Sequence, residues 1–167
     1  MLVSALRSVA RIVPKRFYAA AATEAARTAE TGELRLTLAA PDRAFYNGIV
    51  VKQVDVPTVA GAVGILPNHV PVIGVLKPGV VQVYDIEGNI TKYFVSSGTL
   101  SMNIDGSVQV LAEEVLTIDE IDESAARRHL EAAQRKSVEA GTEVEKAEAS
   151  IRVDVCDALI KAATGQL

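Results

Sequence analysis

The strongest constraint on the fold is a change in hydrophobic period near residues 117–119. Before it, apolar residues alternate with polar ones, as they do in strands with one buried face. After it, up to residue 164, apolar residues recur every three or four positions, as they do on one side of a helix. Turn signals recur about every eight to twelve residues in the first part, which favours a β-sandwich or a barrel. The sequence therefore predicts a β domain over 33–117 and an α-helical domain over 118–167.

Two β-hairpins are visible in the first part. Residues 80–97 hold two apolar runs around Glu87-Gly88-Asn89, which is a turn sequence. A second pair of alternating runs, within 99–112, flanks Asp105-Gly106. The first strand is indicated by leucines at every second position: Leu34, Leu36 and Leu38.

The second part predicts two helices that fold back on each other. Gly141 is placed to end the first helix, and Thr142 with Glu145 forms a capping box for the second. A connection this short predicts an antiparallel helical hairpin. The second helix carries an apolar stripe at steps of three and four: Val144, Ala147, Ile151, Val155, Ala158 and Ala162. We expect the many alanines on the facing sides of the two helices to let the helix axes approach closely.

The first 18 residues differ in charge from the rest of the chain. They contain four basic residues and no acidic residue, and their apolar positions fall near helical spacing. An acid-free, amphipathic and basic N-terminus is typical of a mitochondrial presequence; the alternative is a plain basic tail. We expect a presequence over 1–18, processing near Ala19 and a flexible, alanine-rich extension over 19–32.

Composition narrows the range of partners. Of the 17 basic residues only 13 lie beyond residue 18, against 21 acidic ones, and aromatic residues make up 4% of the chain. A nucleic-acid site needs a basic face and aromatic stacking platforms, so no nucleic-acid partner is expected. No apolar run reaches the roughly 18 residues that a membrane-spanning helix needs, so no direct membrane span is expected either.

The segment from Gly61 to Val70, followed by Pro71, joins two strand-like runs and is nevertheless half apolar. A solvated loop is normally polar, so an apolar loop built on glycine and proline predicts a docking surface. Its His69 has no nucleophile or orienting carboxylate close by in sequence, as catalysis would need. Two distant histidines and the single Cys156 do not predict a metal site, and we expect Cys156 to be a buried helical thiol.

A set of motifs occurs here in a specific order: Gly61-x-x-Gly64-Ile65-Leu66-Pro67-x-His69 with Pro71, Lys77-Pro78-Gly79, Ser97-Gly98, Val108-x-Val110-Leu111-Ala112-Glu113, and an alanine-rich helical hairpin. With these motifs the chain resembles, over residues 33–164, the small central-stalk subunit (delta/epsilon type) of F-type ATP synthases. The N-terminal presequence and the last helix are similar to the mitochondrial form of that subunit.

The resemblance implies a sandwich of about ten strands followed by a helical hairpin, and a non-catalytic role in a rotor. It implies contacts with the gamma subunit, the small mitochondrial epsilon subunit and the membrane ring of c subunits. These contacts would lie on the matrix side of the mitochondrial inner membrane, where proton flow turns the ring and rotation of gamma drives ATP synthesis. By position in the motif, the residues that would contact the c ring are Ala60, Gly61, Ala62, Val63, Gly64 and His69.

One motif departs from the family pattern. Many bacterial relatives bind ATP through Ile/Leu-Asp-x-x-Arg-Ala at the start of the first helix, whereas this chain has Ile121-Asp122-Glu123-Ser124-Ala125-Ala126. Because Ala125 replaces the arginine, a phosphate would lose a charge-assisted partner. We therefore expect no ATP site and no cofactor.

Two other functions fit the β domain considered by itself. One is a free matrix β-sandwich that binds a ligand, which predicts a monomer with a polar-lined pocket. The other is an enzyme with its chemistry at Glu113 or His69, which predicts loss of turnover in a His69→Ala variant. A rotor subunit differs from both because the isolated chain would neither turn over a substrate nor act alone.

Overall fold

The computed structural model describes residues 32–166, which form a sheet of ten strands followed by two helices. The predicted fold class, a β-sandwich followed by a helical hairpin, is confirmed. The expected presequence and, apart from Gly32, the expected extension lie outside the described residues. The strands are β1 (Leu34–Ala39), β2 (Ala44–Val51), β3 (Gln53–Thr58), β4 (Gly61–Ile65), β5 (Val72–Leu76), β6 (Gly79–Tyr84), β7 (Ile90–Val95), β8 (Gly98–Met102), β9 (Ser107–Ala112) and β10 (Val115–Thr117).

The ten strands form one sheet that curls into two layers. The strand order is β10-β7-β6-β3-β5-β8-β9-β1-β2, with β4 paired to β3. Strands β1 and β9 pair in parallel, whereas the other pairs are antiparallel. A single residue pair, Thr58 with Leu76, joins β3 to β5. The sheet therefore bends from one layer into the other at this corner.

The space between the layers is filled with aliphatic side chains. Leu34, Leu36 and Leu38 of β1 are fully buried, and Arg35 and Thr37 between them point to the other face. Burying each leucine contributes about 2 kcal/mol. The same core contains Val51, Val54, Val56, Ile65, Leu76, Val81, Val83, Val95, Leu100, Met102, Val108, Val110, Ala112 and Val115.

An aromatic cluster closes the two layers where β2 meets β7. The ring of Tyr93 lies edge-on to those of Phe45 and Tyr46, at centroid distances of 5.2 and 5.9 Å. Burial, together with the hydrogen bond to Tyr46, raises the pKa of Tyr93 to about 12. The guanidinium of Arg43 covers the Phe45 ring at 4.5 Å from its centroid. The ring contacts of Tyr93 thus join β7 to β2, two strands that lie far apart in the strand order.

Both predicted β-hairpins are present. Strands β6 and β7 pair along their whole length and are joined by a turn over residues 85–89. Strands β8 and β9 pair likewise, and the Asp105 carboxylate holds their turn by accepting from the hydroxyl (2.6 Å) and the backbone N–H (3.0 Å) of Ser107. The hydrogen bond from the Ser107 hydroxyl is the main cause that lowers the pKa of Asp105.

A short 3-10 turn (Ile118–Glu120) leads from β10 into two helices, α1 (Glu123–Glu139) and α2 (Glu143–Thr164). Asp122 caps α1, since its carboxylate accepts from the backbone N–H groups of Ser124 and Ala125 at 2.9 and 3.1 Å. The capping box predicted for Thr142 and Glu145 is present at the start of α2. The helices pack against each other, and α2 also contacts β6.

The side chains buried in the helical hairpin are small. Val144 and Ile151 of the predicted apolar stripe are 69% and 62% exposed. The buried helix residues are all small: Ala126 and Ala133 of α1, and Ala149, Cys156 and Ala162 of α2. Small side chains let two helix axes approach closely, as we expected from the alanines on the facing sides. Cys156 is buried as expected, and burial raises the pKa of its thiol.

Candidate partner-binding surfaces

The segment predicted to be a docking loop contains a strand. Strand β4 pairs with β3 along its whole length, and residues 59 and 60 form the turn between them. The sequence pattern missed β4 because Gly61, Ala62 and Gly64 lack the branched or aromatic side chains that mark a strand. We call residues 60–64 the hairpin tip.

The hairpin tip is rigid and carries only small or short side chains. Gly61 has a φ of +122°, which favours glycine, and its carbonyl accepts a 2.6 Å hydrogen bond from the buried hydroxyl of Thr58. Ala60, Gly61, Ala62 and Gly64 are exposed, and Val63 packs against the core. With its backbone fixed and no long side chain in the way, the tip allows another surface to approach closely.

Beneath the hairpin tip, Gly64 leaves room for Asp55. A Cβ atom on Gly64 would lie 3.0 Å from Oδ1 of Asp55, and the same oxygen accepts from Nε2 of Gln53 at 2.6 Å. A hydrogen bond with Asp55 also raises the pKa of Tyr84. A larger residue at this position would therefore press on the Asp55 carboxylate, which would have to move by a few tenths of an ångström.

His69 does not lie with the other five residues predicted to face the c ring. It lies four residues beyond β4, a strand about 13 Å long that leads away from Gly61. Its Nδ1 lies 2.8 Å from the carbonyl oxygen of Val70, to which it donates. The structure thus brings residues 60–64 together at one end of the sandwich and places His69 towards the opposite end.

A second surface, missed by the sequence reasoning, lies on the outer side of β5, β8 and β9. Ile73 and Val75 of β5 are 84% and 61% exposed, and Val75 is in register with Thr99, which is in register with the exposed Leu111. We call Ile73, Val75 and Leu111 the outer aliphatic face. The signal was present in β5, because Val-Ile-Gly-Val-Leu is apolar at every position, as in a strand covered on both sides.

A cleft of about 550 Å³ separates α2 from the outer side of β3, β4 and β6. Its floor is formed by Pro57, Ala62 and Val80, and α2 contributes Asp157 and Lys161 at its wall. These two side chains form an ion pair with a distance of 2.7 Å between Nζ and Oδ2. The cleft thus touches both the sandwich and the helical hairpin.

The start of α1, where bacterial relatives carry an ATP motif, is occupied by helix capping. The Asp122 carboxylate accepts from the Ser124 hydroxyl at 2.8 Å, and this bond is the main cause that lowers the pKa of Asp122. Arg127 is ion-paired with Glu123, one helical turn earlier, at 2.6 Å. Ala125 offers no cation in the arginine position, so the absence of an ATP site stays a prediction with a structural reason.

The remaining candidates for chemistry do not converge. Among residues 32–166, no three His, Cys, Asp or Glu side chains are grouped as a metal site requires. Glu113 is exposed next to Glu114 in the turn between β9 and β10, outside any water-shielded cleft. In the described part of the chain, neither helix has the length and apolar character needed to cross a membrane.

Comparison with known proteins identifies relatives along most of the chain. The family model "ATP synthase, Delta/Epsilon chain, beta-sandwich domain" matches residues 33–118. The chain is 66% identical over 155 residues to "ATP synthase subunit delta, mitochondrial" of Caenorhabditis elegans, with 93% of each chain covered. It is 40% identical over 134 residues to the protein of the same name from Yarrowia lipolytica, with 80% of this chain and 82% of that one covered.

A solved structure shows the same arrangement of elements. A chain of "Cryo-EM structure of Euglena gracilis mitochondrial ATP synthase, OSCP/F1/c-ring in rotational state 1" matches with a TM-score of 0.72 and 26% identity. The match covers 80% of this chain and 82% of that chain. On the extent and identity of these matches, the chain belongs to the ATP synthase delta/epsilon family.

Proposed function

We propose that the chain is a rotor subunit in the central stalk of the mitochondrial proton-transporting ATP synthase, and that it catalyses no reaction itself. The observation that carries this proposal is the 66% identity, over 93% of both chains, to a mitochondrial delta subunit. In this role the chain passes rotation of the c ring to gamma, whose turning drives ATP synthesis in the catalytic head. The free ligand-binding module is not favoured, because relatives over nearly the whole chain are ATP synthase subunits.

The hairpin tip is the surface that we assign to the c ring. Supporting this, Ala60, Gly61, Ala62 and Gly64 are exposed, and hydrogen bonding fixes the backbone beneath them. Val63 anchors the tip to the core. His69 belongs to the same family motif, but its distance from Gly61 assigns it to a contact outside the tip.

The outer aliphatic face is the surface that we assign to gamma. Exposed aliphatic side chains gathered on one face of a sheet mark a protein interface, and permanent interfaces resemble a core cut in half. Ile73 and Val75, at 84% and 61% exposure, have the character of such an interface. The face lies along the layer that begins next to the hairpin tip, so one rigid body would contact gamma and the ring together.

The cleft between α2 and the sheet is the seat that we assign to the small epsilon subunit. A protein bound there would touch the sandwich and the helical hairpin at once, and would hold one against the other. As part of this complex, the chain would lie at the matrix side of the inner membrane as a peripheral subunit. Its presequence would be removed near Ala19.

Copurification from detergent-solubilised mitochondria tests the function. We expect a tagged chain to recover gamma, the small epsilon subunit and the c ring in constant ratio. An Ile73→Glu, Val75→Glu double variant places two charges in the proposed gamma interface, and we expect at least about tenfold less gamma in the eluate.

The matched control is Ile90→Glu, which adds one charge at a half-exposed aliphatic position in the other half of the sheet. It should recover gamma as the unchanged chain does. If the unchanged chain elutes without gamma and without the ring, the rotor function is rejected and the free binding module takes its place.

A further inference from the structure

The helical hairpin carries a second surface that the proposed function does not use. A groove of about 410 Å³ lies between α1 and α2. Its lining includes the buried Ala133 and Cys156, the half-buried Val155, and Ile151, which is 62% exposed. Within the described part of the chain, no residue lines both this groove and the cleft assigned to epsilon. We call it the hairpin groove.

Helical spacing puts the groove and the cleft on different sides of α2. Ile151 and Val155, which line the groove, are four residues apart and therefore share one side of the helix. Asp154, Asp157 and Lys161, which line the cleft, follow at steps of three and four and share another side. At 3.6 residues per turn, the two sides are roughly 100° apart around the helix axis. A partner in the cleft therefore leaves the groove accessible.

The charged side chains that line the groove are basic, although the chain as a whole is acidic, with a formal net charge of −4. Lys136 and Arg152 are exposed there beside His129, and no carboxylate of residues 32–166 lines the groove. The ion pairs within the two helices are formed by other residues: Arg127 with Glu123, Arg135 with Glu131, Lys146 with Glu143, and Lys161 with Asp157. The groove thus presents an apolar surface beside two cations that these ion pairs do not use.

The dimensions and walls of the groove suit a helix. From His129 to Lys136, α1 advances by about 10.5 Å, or two turns. Towards the bend of the hairpin, an adjoining depression is lined by Glu139, Glu145 and Glu148, so the basic region ends there. Both walls are helices, whose backbone groups are hydrogen-bonded internally, so an extended segment would find no strand edge to pair with. A third helix satisfies its own backbone and packs its side chains into such a groove.

We propose that the hairpin groove binds an amphipathic helix of another protein, in which aliphatic residues are flanked by Asp or Glu. The aliphatic residues would cover Ile151 and Val155, and the carboxylates would pair with Lys136 and Arg152. Charge complementarity selects this partner, because a helix with basic flanks would be repelled. The bound helix would form a three-helix bundle with α1 and α2. This proposal stands independently of the surfaces assigned to gamma, epsilon and the c ring.

A synthetic helical peptide tests the proposal on the full chain in solution. The probe has about 20 residues, with leucines along one side and glutamates beside them, and carries a fluorophore so that anisotropy measures its binding. We expect a second peptide, with lysine in place of each glutamate, to bind at least about tenfold more weakly. In a Lys136→Glu, Arg152→Glu variant this order should reverse, so that the lysine peptide binds more tightly than the glutamate peptide.

Two controls separate the groove from net charge and from general apolar attraction. Arg135→Glu with Lys146→Glu reverses one charge on each helix outside the groove, and should leave the affinity for the glutamate peptide within about twofold. Ile151→Glu should weaken this peptide at least about tenfold, whereas Val144→Glu, at an exposed position of α2 outside the groove, should not. Circular dichroism checks that each variant keeps its helices.

The thiol of Cys156 shows where the peptide binds. It is the only cysteine of the chain and lines the groove, so its rate of reaction with a maleimide reports access to this surface. Saturating glutamate peptide should slow the reaction at least about fivefold. Equal binding of the two peptides, equal losses in the groove variant and in its charge control, or binding that leaves the reaction of Cys156 unchanged would each overturn the proposal.

Discussion

The sandwich and the helical hairpin are held together by different means. The sandwich buries seventeen apolar side chains in one cluster, most of them leucine, valine or isoleucine. The hairpin buries four alanines and one cysteine, and depends on its caps and on contact with β6. The 3-10 turn that precedes the hairpin is linked to the sandwich by an exposed ion pair between Arg43 and Glu120 at 3.3 Å. An exposed ion pair contributes at most about 1 kcal/mol. We therefore expect the sandwich to be the more stable of the two regions and the hairpin to depend on a neighbouring surface.

This contrast suits the proposed role. A body that passes torque between two partners must resist deformation, and a closed sheet around a dense aliphatic core does so. A helical hairpin with small contact residues keeps its position when another protein fills the cleft beside it. Three substitutions and a change of pH would distinguish the two regions.

The core substitution Leu36→Ala should have the largest effect. Leu36 is fully buried, so the change removes apolar contacts and leaves a cavity, at a cost of about 4 kcal/mol in the free energy of unfolding. Ile151→Ala in the hairpin removes a side chain that is 62% exposed and should cost less than about 0.5 kcal/mol. Urea unfolding measures both, and equal costs would show that the hairpin is packed as densely as the sandwich.

The substitution Gly98→Ala should cause the next largest loss of stability. A Cβ atom on Gly98 would lie 2.1 Å from the carbonyl oxygen of Leu111, and backbone at φ +156° cannot move aside without breaking the pairing of β8 with β9. We expect a loss of about 3 kcal/mol in thermal or urea unfolding. Gly88→Ala is the control, since φ is +90° there but no atom lies within 4 Å, and should cost about 1 kcal/mol. A smaller loss at Gly98 than at Gly88 would contradict the tight approach of these strands.

The cap substitution Thr142→Ala should loosen the hairpin alone. Its hydroxyl accepts from the backbone N–H of Glu145 at 3.2 Å, and losing a cap costs about 1 kcal/mol. Hydrogen exchange should become roughly fivefold faster for amides in the first turns of α2 and stay unchanged in β1. Thr142→Ser keeps the hydroxyl and serves as the control; faster exchange in this variant would rule out capping as the reason.

Low pH should destabilise the helical hairpin before it destabilises the sandwich. Backbone N–H groups at Thr117 and Thr142 lower the pKa values of Glu120 and Glu145, and the Ser124 hydroxyl lowers that of Asp122, all at helix starts. A lowered pKa in the folded state means stability that is present above the ordinary values of 4.5 for Glu and 3.8 for Asp. This stability is lost as pH falls through the folded values.

Helical circular dichroism should therefore decline at a higher pH than the tyrosine signal of the sandwich. Asp122→Asn keeps a good capping side chain without a titrating carboxyl and should shift the helical decline to lower pH. Loss of the tyrosine signal first would show that the caps do not limit the stability of the hairpin.

Most of the fold was predictable because its signals are local. The alternating leucines of β1, the two hairpin turns and the Thr142 capping box each depend on a few neighbouring residues, and each is confirmed. Strand β4 was missed because its pairing with β3, and not its glycine-rich sequence, makes it a strand. For α2, the alanines on the facing side were predicted, whereas the apolar stripe alone did not reveal that Val144 and Ile151 stay exposed, because exposure depends on which face packs against α1.

The predicted contact residues show the same limit. A motif places Ala60 and His69 close together in sequence, but the straight run of β4 between them separates their positions in space. The outer aliphatic face combines residues from three strands, and their alignment depends on register, which no single segment reveals.

Cross-linking to the ring tests the central claim, that this chain turns as part of the rotor, most directly. A cysteine at Ala60, which is exposed in the hairpin tip, in a chain whose native Cys156 is replaced by Ala, would be disulfide-linked to a cysteine in the exposed loop of a c subunit in inner-membrane vesicles. Because both partners rotate together, proton-driven ATP synthesis should continue at its original rate, while a control link between gamma and the catalytic head stops it. Loss of synthesis on linking this chain to the ring would contradict the account.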